Sequence, residues 1–270
     1  MRMASATAES IERHAAALWD AAAARQPIEP PTASDPDFDV PTAYAVQAQL
    51  TARRIAQGGV VRGRKVGLTS AAMQRQLGVD EPDYGVLFDD MLVEDGDAID
   101  LGRLLQPRVE GEIAFLLGAD LAGPGVSAAD VLRASAGVCA SIEVIDSRVA
   151  DWRIALPDTI ADNASSGLVV TAGRLVPTTE LDLRLIGMAL SRNGELVETG
   201  AGAAVLGNPA RCVAWLANKL ATFGERLHAG DLVLAGALHR AVEVAPGDVF
   251  RAEFSRLGAV TTSFTAEEAA

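Results

Sequence analysis

Residues 107–117 read PRVEGEIAFLL, and this stretch decides the fold class. Glu110 and Glu112 alternate with Val109, Gly111 and Ile113, which is the two-residue period of a β-strand. Both carboxylates therefore leave one face, and the apolar residues occupy the other. Short runs of the same character recur along the chain: VVRGRKVGLT (60–69), CASIEVIDSRV (139–149), GLVVTAG (167–173), DLRLIGMALSRNGELVETG (182–200), DLVLAGALHRAVEV (231–244) and VFRAEFSRLGAVTTSF (249–264). Most show β-branched enrichment or alternation, and Gly, Pro, Asn and Asp separate them. Arg192-Asn193-Gly194-Glu195 predicts a hairpin, because Asn-Gly tolerates the positive φ of a tight turn.

Working outward, apolar residues at three- and four-residue spacing (Ile11, Ala15, Leu18, Trp19, Ala22) predict a helix over 5–25. A second fits 42–57, opened by Thr42 or Pro41 and closed by Gly58-Gly59, and a third fits 209–223 with Pro209 in its first turn. The connector 26–42, QPIEPPTASDPDFDVPT, is polar and proline-rich, and no regular element is expected there. The chain thus divides into a helical N-terminal arm, 1–60, and one domain, 61–270, that is mostly antiparallel β with helical inserts. This is an α+β organisation.

Hydrophobic residues make up 49% of the 270-residue chain and charged residues 22%, enough for a sizeable core. Aromatics are only 4% and the formal net charge is −13. A stacking platform for bases is thereby excluded, and phosphate backbones and anionic membranes are repelled. No nucleic-acid or membrane partner is expected, and a cytoplasmic location is. An anionic substrate would need a local positive centre, which a divalent metal beside a lysine supplies. Cys139 and Cys212 lie in apolar surroundings without metal spacing and read as buried, reduced thiols. The three histidines (His14, His228, His239) have neither triad nor metal spacing, and His14 is expected to be exposed on its amphipathic helix. Gly200, Gly202 and Gly207 do not match a dinucleotide fingerprint.

Glu110 and Glu112 would stand about 7 Å apart along their strand, repelling unless a cation or solvent lies between them. Glu143 sits between Ile142 and Val144 in a second apolar strand, where a buried carboxylate needs a partner. Three carboxylates without a nearby His or Cys form a hard, oxygen-only set suited to Mg²⁺ or Mn²⁺ rather than zinc. The competing reading puts Glu110 and Glu112 on a solvated face and pairs Glu143 with Arg148. Lys65, in the Gly-framed run Arg62–Gly67, either points into a pocket to hold a developing oxyanion or is a surface lysine. The polar segment Gly78–Gly85 reads as a lid with Asp83 as its acid/base candidate, or as an ordinary loop. Asn163, Ser165 and Ser166, in the polar link 158–167, either hydrogen-bond a ligand or satisfy a buried turn.

In order along the chain, GRKVGLTSAAMQRQLGVDEPDYGVLFDDM (63–91), LQPRVEGEIAFLL (105–117), IEVIDSRVADW (142–152), DTIADNASSG (158–167), LGNPARCVAWLANKL (206–220) and AGDLVLAGAL (229–238) resemble the 2-keto-4-pentenoate (2-hydroxypenta-2,4-dienoate) hydratases of aromatic and steroid meta-cleavage catabolism. These sit within the fumarylacetoacetate hydrolase superfamily, beside the 4-oxalocrotonate decarboxylases. The resemblance spans about residues 38–265. It implies the superfamily's mixed β-roll, barrel-like core for 61–270, with Mg²⁺ (or Mn²⁺) on Glu110, Glu112 and Glu143. It implies substrate contacts from Lys65, Asp83, Leu87 and Ser165, with Lys65, Asp83 and Ser165 in catalytic roles. A 2-oxo or 2-hydroxydienoic acid is the substrate it implies, in a homo-oligomer, with a decarboxylase or aldolase of the same pathway as a further partner. Two readings compete with hydration: decarboxylation of 2-oxo-3-hexenedioate, for which Arg62, Arg64 or Arg148 would receive the second carboxylate, and a non-catalytic scaffold subunit. Two departures stand out. No His between residues 14 and 228 supplies the lid Glu-His pair of the related hydrolases, and His239 replaces the Gly that follows GAL in many hydratases.

Overall fold

The computed structural model describes residues 7–70, 74–75, 79 and 81–266. Helix α1 (Ala8–Ala24) starts where the Thr7 side chain accepts from the Ser10 N–H. Inside the proline-rich connector the chain makes one helical turn, α2 (Pro31–Ser34), where no element was expected. Pro31 is tolerated there because a first-turn residue needs no intrahelical N–H bond. Helix α3 (Val40–Ala56) begins two residues earlier than the sequence reading, because Asp39 rather than Thr42 caps it and accepts from the Thr42 N–H. Asp39→Ala should therefore lower unfolding stability by about 1 kcal/mol, measurable by urea denaturation with an unchanged m-value.

Thirteen strands follow among the described residues, in two sheets. The larger contains β1 (Val61–Gly67), β2 (Asp83–Phe88), β3 (Leu92–Glu94), β5 (Arg108–Leu117), β6 (Ser135–Ile145), β7 (Ser166–Thr171), β10 (Leu232–Ala237) and β11 (Val242–Glu243). Its order is β2-β1-β10-β5-β6-β7-β3, with β11 extending the pairing along β5. The pairs β1/β10 and β3/β7 are parallel and the others antiparallel. The smaller sheet runs β4 (Ala98–Asp100), β13 (Gly258–Thr265), β12 (Val249–Phe254), β8 (Gly187–Arg192), β9 (Glu195–Ala201). Its β12 and β13 pack against β6, so β5 and β6 lie at the centre and are buried on both faces. The β8–β9 hairpin turns at Asn193 and Gly194, with φ of 54° and 84°, as Asn-Gly predicts.

Further helices are α4 (Ala128–Ala134), α5 (Leu156–Ala161) and α6 (Pro209–Ala221). Helix α6 packs on β10 and β1, and α3 packs on α5. Gln47 of α3 donates to the Tyr84 and Ile160 carbonyls, tying the helical arm to β2 and α5. One hydrophobic cluster includes Ala15, Val46, Phe115 and Phe264, so the arm and the sheets share a core. His14 is buried rather than exposed. The connector folds back over it, placing Asp35 Oδ2 3.2 Å from its Nε2 and Phe38 against its ring. Helical periodicity alone carried no sign of that cover. Both cysteines are free and buried. No helix among the described residues is long and apolar enough to cross a membrane.

Candidate active site

Strands β5 and β6 carry the acidic residues into one place. Their register sets Glu110 directly opposite Glu143, and Glu112 follows on the same face as Glu110. One carboxylate oxygen from each of the three lies within 4.8 Å of the others. Like charges placed opposite one another destabilise a sheet, so this pairing needs an opposing charge. Glu112 and Glu143 are buried and Glu110 is partly so. Glu112 Oε2 accepts from the Gly236 N–H at 2.7 Å. That bond exists because β10 shifts register between Leu234 and Ala237, and Gly236 takes φ of 107°. A side chain at Gly236 would also collide with Thr69.

Lys65, on β1, is 4% exposed, and its Nζ stands 3.3 Å from Glu143 Oε1. Beyond that ion pair, neither oxygen of Glu143 has a hydrogen-bond partner among the described residues. Arg148 does not approach it: that side chain pairs with Asp162 at 2.5 Å, which removes the competing reading of the sequence. Burial pushes the Glu110 carboxyl up to about 7, with Glu143 adding to the effect. Glu112 is raised well above the ordinary range by burial, then by Glu143 and Glu110. Burial raises Glu143 as well, with Lys65 opposing. Burial disfavours the Lys65 ammonium, but Glu143, Asp83, Glu110 and Glu112 together outweigh it and raise its pKa. These are shifts of buried carboxylates that are also crowded beside too little positive charge. A hard divalent cation is the charge that such an oxygen-only set fits.

Asp83 is the first residue of β2 and is 1% exposed. It is a fixed strand residue, not the loop residue that its Pro and Gly neighbours suggest. Gly78 and Asp80 of the expected lid lie outside the described residues. Asp83 Oδ2 accepts from Thr159 Oγ1 at 3.1 Å, while Oδ1 has no hydrogen-bond partner among the described residues. Burial raises its pKa, and Lys65 opposes that rise. A Cβ on Gly67 would collide with Asp83 Oδ1 and reach within 3.4 Å of Lys65 Nζ. Gly67→Ala should accordingly cost about 1–3 kcal/mol of stability and lower activity in the surviving fold, read by thermal melting and a substrate assay.

A cavity of about 840 Å³ opens over these groups, with Lys65, Asp83, Glu110, Glu112 and Ser165 in its wall. Leu87 is fully buried on β2 and is not among the lining residues. Asn163 is a clamp rather than a lining group, with its amide bonding both the N–H and the carbonyl of Val86. Ser166 does not line this cavity, nor do Arg62, Arg64 and Arg148. Arg108 and Arg240 line it instead, and both are engaged: Arg240 with Glu198 at 2.6 Å, Arg108 with Glu243 at 3.4 Å and over the Trp152 ring. Arg108 precedes Glu110 by two residues, so strand alternation, a signal present in the sequence, places it on the same face. His239 also lines the cavity. Its Nε2 accepts from the Gly111 N–H at 2.8 Å and its Nδ1 donates to the Arg240 carbonyl at 2.7 Å. Burial lowers its pKa, so the ring is a neutral brace for the strand segment between Glu110 and Glu112.

The sequence model of the fumarylacetoacetate hydrolase C-terminal family matches residues 56–265. The chain belongs to the fumarylacetoacetate hydrolase family. Within this family, it is 47% identical over 262 residues to a 2-keto-4-pentenoate hydratase of Paraburkholderia xenovorans, covering 97% of each chain. It is 48% identical over 208 residues to a 2-hydroxypent-2,4-dienoate hydratase of Pseudomonas putida, covering 77% of this chain and 94% of the relative. Among solved structures, 4-oxalocrotonate decarboxylase from Pseudomonas putida G7, complexed with magnesium and adipate, superposes with a TM-score of 0.94 at 40% identity, covering 96% of this chain and 99% of the other.

Proposed function

We propose that this family member hydrates 2-hydroxypenta-2,4-dienoate, or a close homologue, to a 4-hydroxy-2-oxo acid, with Mg²⁺ as its resident ion and Mn²⁺ as an effective substitute. The observation that carries the reading is the Glu110–Glu143 cross-strand pair with Glu112 and Lys65 beside it, at the wall of a cavity. When bound there, the divalent cation supplies a Lewis-acidic centre for the carboxylate and C2 oxygen of a 2-oxo acid. Glu110, Glu112 and Glu143 would hold it. The Lys65 ammonium stands beside the same group and stabilises the negative charge on the C2 oxygen as the enol proton leaves. C5 gains a proton in that ketonisation, leaving a C3–C4 double bond conjugated to the 2-oxo group. Water then adds across it, with hydroxide to C4 and a proton to C3. Asp83, buried with a free Oδ1 and a raised pKa, is the group for these proton transfers. Ser165 orients the O–H that reacts.

The high identity to named hydratases supports water addition, although the decarboxylase structure shares the fold closely. The arginines offer a second argument. Decarboxylation of a dicarboxylic acid calls for a cation free to receive the distal carboxylate, and both cavity arginines already face a glutamate. Incubation of the Mg²⁺-loaded protein with fresh 2-hydroxypenta-2,4-dienoate and, separately, with 2-oxo-3-hexenedioate tests this reading. Formation of 4-hydroxy-2-oxopentanoate from the first without CO₂ from the second is expected. CO₂ release with no hydration would overturn it. We also assign the protein to the cytoplasm and to a homo-oligomer, which size-exclusion chromatography with light scattering tests.

A further inference from the structure

The turn that presents Ser165 to the cavity is strained. Asn163, Ala164 and Ser165 have φ of 56°, 51° and 51°, three successive L-residues in the left-handed region, which Asn tolerates but Ala and Ser disfavour. Such a backbone persists only where its surroundings hold it. Arg148 and Asp162 do so. The Arg148 guanidinium donates to Asp162 Oδ1, to the Asp162 carbonyl and to the Ser166 carbonyl, spanning the turn from both ends. Asp146 N–H closes it by donating to the Ser165 carbonyl at 2.8 Å.

The Asp162 carboxylate also decides which way the Ser165 hydroxyl faces. Its Oδ1 accepts from Arg148 Nε, and its Oδ2 accepts from the Arg148 N–H at 3.1 Å, so donors hold both oxygens as acceptors. The Ser147 hydroxyl donates to Oδ2 at 3.3 Å, since its own oxygen accepts from the Val149 N–H. Ser165 Oγ lies 3.2 Å from the same Oδ2 and must be the donor, because a carboxylate has no proton to give.

We propose that Arg148 and Asp162 are positioning residues for the reaction. They hold the strained turn and commit the Ser165 proton to Asp162, leaving the Ser165 oxygen toward the cavity as a hydrogen-bond acceptor only. The group that docks on it is therefore an O–H donor, the enol hydroxyl or the attacking water, and not a carboxylate or ketone oxygen. This inference rests on the reading of Ser165 as a group that touches substrate or water.

Asp162→Asn tests it with almost no change of shape. In the orientation that keeps the amide oxygen on Arg148 Nε, the amide nitrogen replaces Oδ2, gives up the bonds that Oδ2 accepts from the Arg148 N–H and the Ser147 hydroxyl, and donates to Ser165, which turns its proton into the cavity. Expected are a fall in kcat of about 30–100-fold in D162N, a similar fall in S165A, and a double variant no slower than S165A. Mg²⁺ affinity, titrated on the metal-free proteins, stays within about twofold of wild type in all three. Arg148→Lys keeps the charge but loses the fork, and a fall of about 5–10-fold is expected that vanishes in the S165A background. If D162N does not fold, the R148K cycle decides. Wild-type kcat in the folded variant, or losses that multiply in the double variant, would overturn the proposal. If the wild type shows no hydration at all, the functional reading fails instead. The positioning inference is then read from the affinity of the Mg²⁺-loaded proteins for glycolate, whose hydroxyl can donate to the Ser165 oxygen, where the same non-additivity is expected and its absence rejects it.

Discussion

Replacing Glu110 by Gln is expected to cut kcat/KM by at least about 100-fold, since changing even a group that merely supports a metal ligand costs 10–100-fold. The same substitution should raise the melting temperature of the chelator-treated protein. Glu110 faces Glu143 across the β5–β6 ladder, and relieving a directly opposed like-charge pair is worth up to about 1 kcal/mol. At this chain length that corresponds to a rise of about 2–4 °C. Addition of Mg²⁺ should then stabilise the variant far less than the wild type, because stabilisation by a ligand follows its affinity for the folded state. A purely structural carboxylate would lose stability in both conditions. Full activity of the variant after chelator treatment would remove the metal from the account.

Lys65→Met is expected to separate catalysis from metal binding. The ammonium is the one buried lysine beside the three glutamates, and loss of a single donor to a developing oxyanion costs about 10²–10³-fold in kcat. Removing it also removes a cation that competes with the metal for Glu143, so Mg²⁺ affinity should hold or tighten. The metal-free protein should meanwhile lose about 3–5 kcal/mol, the usual consequence of leaving one partner of a buried ion pair unpaired. Stopped-flow turnover, calorimetric Mg²⁺ titration and denaturant unfolding read the three signs independently. A parallel loss of turnover and metal affinity would make Lys65 a scaffold for the carboxylates rather than a charge on the reaction.

Much of the site was legible locally. The Glu110–Glu112 spacing holds because strand period is a property of the backbone, and Val109, Gly111 and Ile113 alternate with them as that period requires. The position of Glu143 opposite Glu110 was not legible, because cross-strand register is set by pairing between distant segments. The placement of Asp83 on a strand was hidden for a related reason. Pro82 and Gly85 are loop signals, yet pairing with β1 through Gly67 draws Asp83 into a buried strand. His14 and Arg148 failed together on tertiary grounds: their partners, Asp35 and Asp162, lie 21 and 14 residues away, beyond what periodicity reports. Leu87 shows that a strand position carried over from relatives need not face the cavity. The overall architecture, an α+β core with helices at the N-terminus, followed from the density of short apolar runs, while the split into two sheets did not.

The central claim is that Glu110, Glu112 and Glu143 hold a cation through which a 2-oxo acid is gripped. Calorimetric titration of oxalate, an unreactive bidentate analogue, into the chelator-treated protein with and without Mg²⁺ tests it most directly. The account predicts one oxalate bound per chain with Mg²⁺ present and none without it, with Glu143→Gln abolishing the difference. Equal oxalate affinity in the absence and presence of Mg²⁺ would contradict it.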